Sequence, residues 1–210
     1  MFGSRGKMNR IGLVIAVLGA LGCTPAQVAP PPKTVNRIAV LPPYNLRGDG
    51  APAAATGDAL NPRQLTVGDV LAEQARAQLA EKGFAVVDPG VVQAATKDRL
   101  PTSAHMAAQI VDAAHLDATA MYIEVRLWEP NWVGMKTDSV IVALDVMLID
   151  PQTGAVVWQV RRDPKPVPLY GVLLTGQANV FVAETIMREV LAPLRPVQPA
   201  PPSSLGASRQ

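Results

Sequence analysis

An α/β domain with a mixed sheet of about five strands is the fold class this sequence predicts, on three observations. Short apolar runs end in Pro, Gly or Asp, as at Leu41-Pro42-Pro43 and Asp88-Pro89. Stretches with apolar residues at helical spacing stand between or after them, at residues 67–79 and 177–192. Three strand-like runs then follow one another over residues 118–161, with a strong turn signature before the last. The order is β-α-β-α-α-β-β-β-α. Right-handed crossovers make the first strands parallel, and the last three form an antiparallel meander with the helices packed on the sheet.

Arg37-Ile38-Ala39-Val40-Leu41 reads as a buried strand stopped by two prolines. A long loop rich in Gly, Ala, Pro and Asp follows, over residues 44–65. It exceeds the usual length of a structureless connection, so it is mobile or functional. Thr66 with Asp69 three residues on marks a helix start, and Lys82-Gly83 marks its stop. Phe84-Ala85-Val86-Val87 is the second strand, and short helices follow at 89–97 and 103–114. In the strand at 118–127, Met121, Ile123, Val125 and Leu127 alternate with Tyr122, Glu124 and Arg126, so one face is wetter. The strand at 138–149 is apolar on both parities except for Asp145, which suits a central position. Asp150-Pro151-Gln152-Thr153-Gly154 turns the chain into the strand at 155–161. A loop holding Pro164, Pro166 and Pro168, then an apolar patch at 168–174, lead to the last helix.

The amino terminus has a different character. Arg5, Lys7 and Arg10 precede an uncharged apolar run at 11–21, and Gly22 and Cys23 follow at once. This is the layout of a secretory signal, and the run is about half of what a membrane-spanning helix needs. Removing residues 1–22 takes 3 of the 19 basic residues and leaves 16 against 17 acidic, a net charge of −1. A near-neutral chain without a basic stripe gives no electrostatic reason for nucleic-acid binding. The single cysteine cannot form an internal disulfide. The chain divides into a signal peptide at 1–22, a Pro-rich tether at 23–36, the α/β domain at 37–194 and a disordered Pro-rich tail at 195–210.

Gly19-Ala20-Leu21-Gly22-Cys23 resembles the lipobox of bacterial lipoproteins. The resemblance implies acylation of Cys23, palmitate included, cleavage after Gly22, and anchoring to a membrane through N-terminal acyl chains. Thr24, rather than Asp, after the cysteine implies the outer membrane, with the domain in the periplasm. The alternative is an ordinary signal peptide, or a short uncleaved anchor, with a bystander cysteine.

Further on, Ile38-Ala39-Val40-Leu41-Pro42-Pro43-Tyr44-Asn45 resembles the opening strand of the TolB amino-terminal-domain superfamily. The stretches at 83–87, 114–122 and 148–158 resemble its later strands, in the same order. Small envelope lipoproteins with a Leu-Pro-Pro first strand are the nearest members, alongside CsgG-like secretion lipoproteins and LpoB-like activators of cell-wall synthases. The resemblance implies a tethered envelope domain that binds a protein partner or self-assembles, with no catalytic residues, no cofactor and no small-molecule substrate. The alternative is a CsgG-like secretion component of the outer membrane. Residues 44–65 lack the alternation a barrel hairpin needs, and 128–137 is too short for one.

No nucleophile elbow, zinc-protease motif or phosphate loop occurs, so an enzyme is not the reading adopted. His105 and His115 lack the clustering of metal ligands. Arg47-Gly48-Asp49-Gly50 is better explained by loop chemistry than by adhesion. Glu124 and Asp145 can face one another across strands, with Arg126 beside them. The stronger candidate is Trp128-Glu129-Pro130-Asn131-Trp132-Val133-Gly134-Met135, read as a loop between strands. Either Trp128, Trp132 and Met135 anchor a protein or lipid contact, or the tryptophans fold back as local core.

Overall fold

The computed structural model describes residues 35–45, 66–97, 99–133, 136–169 and 175–196. Gly22, Cys23 and Met135, the bulk of the loop at 44–65, the apolar residues 170–174 and the tail beyond 196 lie outside them.

Among the described residues, six strands and four helices follow in the order β1 (Arg37–Val40), β2 (Tyr44–Asn45), α1 (Val67–Glu81), β3 (Ala85–Val86), α2 (Pro89–Thr96), α3 (Ala104–Ala113), β4 (Thr119–Val133), β5 (Lys136–Ile149), β6 (Val156–Pro168) and α4 (Thr175–Leu191). The sheet order is β3-β1-β4-β5-β6, with β2 paired to β4 beyond the end of β1. β1 is parallel to β3 and β4, and β4, β5 and β6 are antiparallel. The sheet is mixed, as the crossover argument requires, and it is open.

Local chemistry sets the helix ends. Thr66 and Asp69 form a reciprocal capping box, with Thr66 Oγ1 accepting from the Asp69 N–H at 3.1 Å and Asp69 Oδ2 accepting from the Thr66 N–H at 2.9 Å. At the other end Gly83 adopts φ +90, and the Phe84 and Gly83 N–H groups donate back to the Leu79 and Ala80 carbonyls. Asp88 caps α2, with Pro89 in the first helical position, and Ser103 caps α3. Asp150 Oδ1 accepts from the Gln152 N–H, and Gly154 at φ +68 completes the turn into β6.

The sheet separates two cores. On one face Met121, Ile123, Leu144, Leu148 and Trp158 pack against Leu71, Leu79, Ile186 and Leu191 of α1 and α4. On the other, Ala39, Leu41, Ala120 and Tyr122 pack against Val92, Ala107 and Val111 of α2 and α3. Each fully buried aliphatic side chain contributes about 1.5–3 kcal/mol. Val35 is buried with the first core and the Asn36 carbonyl accepts from the Ala85 N–H, so the chain joins the domain just before β1.

Three segments depart from the sequence reading. Tyr44–Asn45, expected in the long loop, pairs with Glu124 and Val125. β4 runs on through Trp128 to Val133 and β5 begins at Lys136, so the expected Trp loop is paired strand. β6 continues to Pro168 across the expected Pro-rich loop. One physical reason explains the last two. The Leu169 N–H donates to the Asp138 carbonyl, which fixes the alternation of inward and outward backbone groups. In that register Pro166, Pro168 and Pro130 direct their nitrogens away from β5, where a missing N–H costs the ladder nothing.

Candidate functional site

The long ends of β4, β5 and β6 form an arm beyond the helices α2 and α3. Its two tryptophans have different environments. Trp128 lies opposite Val142, packs against the larger core, and donates from Nε1 to Asn179 Oδ1 of α4 at 3.3 Å. Trp132, opposite Thr137 after a second register shift, leaves 62% of its surface in water. Trp128 is thus half-buried against the core, and Trp132 is the more exposed of the two. Met135 lies outside the described residues.

On the α2/α3 face, the helices end near Tyr122 and a polar strip takes over. Glu124 and Asp145 are directly opposed across β4 and β5, as expected for a cross-strand pair. The repulsion is offset by Arg126, whose Nη2 lies 3.2 Å from Asp145 Oδ1 and donates to the Arg162 carbonyl at 2.9 Å. Arg126 sits in the register shift between Val125 and Leu127, which gives its guanidinium the reach to span β5. The Tyr122 hydroxyl is buried without a hydrogen-bond partner among the described residues. Burial first, and then the nearby Glu124, push its pKa well above the ordinary tyrosine value.

A cleft of about 640 Å³ opens at the carboxyl ends of β1 and β3. It exists because α1 returns along one face of the sheet and α2 along the other, leaving a crevice between them. Val40, Pro43, Val70 and Val92 make an apolar floor, while Leu100 and Val180, 53% and 40% exposed, stand on its rim. Of the rim charges, Arg76 is paired with Glu73 at 2.9 Å and Asp69 is held in the capping box. Arg99 is exposed and carries no side-chain partner among the described residues. No motif in the sequence marks this cleft directly. Its signals were the two proline stops, Pro42-Pro43 and Asp88-Pro89, each ending a parallel strand where the next helix must choose a face.

The histidines stay apart. His105 shares a 3.1 Å hydrogen bond with Gln109, and His115 is exposed at φ 52 after α3. Among the described residues no group of three or more His, Cys, Asp or Glu could hold a metal ion.

No family model matches the chain, and neither does any curated protein. Among solved structures, it is similar to the PelC dodecamer from Paraburkholderia phytofirmans, at 19% identity over 81% of this chain and 97% of that one, with a TM-score of 0.51. It is also similar to lipoprotein GNA1162 from Neisseria meningitidis, at 17% identity over 73% of this chain and 96% of that one (TM-score 0.44). A third is the LpoB C-terminal domain from Salmonella enterica, at 16% identity over 70% and 87% of the two chains (TM-score 0.39). At 19% identity the PelC likeness shows a shared fold and nothing further.

Proposed function

We propose that this chain is a non-enzymatic bacterial envelope lipoprotein whose α/β domain assembles with copies of itself. In this reading the Cys23 thiol takes a diacylglyceryl group, cleavage behind Gly22 frees its amino group for a further acyl chain, and the acyl chains hold the domain at the outer membrane on its periplasmic side. Two or three acyl chains supply the anchoring, since each buried methylene is worth about 0.8 kcal/mol. Among the described residues no helix is long and apolar enough to cross a membrane. The TolB amino-terminal-domain resemblance belongs to the same reading, as does the PelC likeness, a protein whose structure is a dodecamer.

The observation that carries the assembly reading is Trp132, an aromatic left 62% exposed on a paired strand. Large aromatic side chains fixed in place and left in water are characteristic anchors of protein interfaces. Two measurements test the proposal. Metabolic labelling with palmitate should mark the wild-type chain and be lost in Cys23→Ser; retained label would refute the anchor. Sedimentation of the acylated protein in detergent should give an oligomer, and a monomer would refute the assembly.

A further inference from the structure

We infer that the cleft at the carboxyl ends of β1 and β3 is the receptor for the β4–β5 arm of a second copy, with Trp132 as the inserted anchor and Asp138 paired to Arg99. The inference rests on the self-assembly reading and names the two surfaces that meet.

Four features of the molecule lead to it. First, prolines blunt the arm's edges against assembly by strand addition. Pro130 interrupts the donors on the outer edge of β4, and Pro166 and Pro168 do so on the outer edge of β6. A contact made by the arm is therefore expected to use side chains more than backbone. Second, the cleft offers what an indole needs, an apolar floor of Val40, Pro43 and Val92 and a volume within the range of pre-formed binding sites. Third, the charges match. Asp138 is exposed beside Thr137, the residue opposite Trp132, and its side chain has no partner among the described residues; Arg99 stands likewise unpaired on the cleft rim next to exposed Leu100. Arg99 can also lie on the indole face.

Fourth, the chain's own arm cannot fill its own cleft. Pro43 precedes Tyr44, which pairs with Glu124, and Trp132 lies eight residues further along β4. At about 3.3 Å per residue that is roughly 25 Å beyond the cleft floor. Pairing with β5 continues to Val133, so the strand is not free to fold back. An arm seated in this cleft therefore comes from another molecule. Arm and cleft are different surfaces, so the contact is heterologous, giving a ring where the rotation between copies closes and an open filament where it does not.

The test is equilibrium sedimentation of the acylated full chain in detergent, comparing wild type with four single variants and one double. Trp132→Ala and Leu100→Glu should each weaken association roughly tenfold or more. Asp138→Arg and Arg99→Glu should each weaken it, and the two combined should restore it. Two results would overturn the inference and leave self-assembly standing: wild-type association in Trp132→Ala and Leu100→Glu, or no recovery in the charge-exchanged pair. A monomeric wild-type chain would overturn the self-assembly reading as well. So would a monomer whose Trp132→Ala variant loses cross-linking to a different envelope protein, which assigns the arm to that partner.

Discussion

The two halves of the sheet are made from the same three long strands yet live under different rules. The half around Met121, Val146 and Trp158 is clamped between α1 and α4 on one face and α2 and α3 on the other. The arm beyond Val125 keeps core contacts on one face only, through Trp128, Val140, Val142 and Val167. Identical residue types therefore do different work according to position: Trp158 is 1% exposed, Trp128 is half-buried, and Trp132 is 62% exposed. The clamped half provides stability. The arm, held out by strand pairing, provides surface.

Substitutions in the two halves should differ in cost. The largest loss is expected in the clamped half, where Trp158→Ala leaves a cavity worth about 3–5 kcal/mol, read as a fall in the urea midpoint. High pH comes next. The folded-state pKa of Tyr122 is raised above its ordinary 10.0, so above that pH the unfolded chain loses the proton first and folding is progressively penalised. Stability from this group is intact below pH 10 and falls as pH climbs towards the folded-state value; urea titrations at pH 8 and pH 11 should show a smaller drop for Tyr122→Phe than for wild type. At the border between the halves, Asp145→Ala strands the Arg126 guanidinium and should cost about 2 kcal/mol, while Asp145→Leu with Arg126→Met should recover part of it. Thr66→Ala removes the cap of α1 for about 1 kcal/mol. On the arm, Trp132→Ala should change stability by less than about 0.5 kcal/mol, since it removes little buried surface. A loss there as large as that of Trp158→Ala would erase the distinction drawn between the halves.

What the sequence made legible was local chemistry. The Thr66–Asp69 capping box, the Gly83 stop, the Asp150 turn and the Glu124–Asp145 opposition all depend on residues close together or on strand alternation, and each appears in the structure. The prolines misled because their meaning is positional. Pro130, Pro166 and Pro168 read as breaks, and only the register shows that their nitrogens face open edges. Separating Trp128 from Trp132 required knowing that Asn179, 51 residues away, comes to meet the first. The cleft is drawn from four separate stretches around Pro43, Val70, Val92 and Val180, and no single stretch announces it.

Hydrogen exchange at low and high concentration of the acylated protein reads both halves in one experiment. In the proposed assembly the clamped half folds the molecule, and the arm and cleft join it to its neighbours. Amides in β4 from Trp128 to Val133, and those around Arg99 and Leu100, are then expected to slow as concentration rises. Amides from Met121 to Val125 should stay unchanged, being already protected within one chain. Equal exchange at both concentrations throughout the arm and cleft would contradict that assembly.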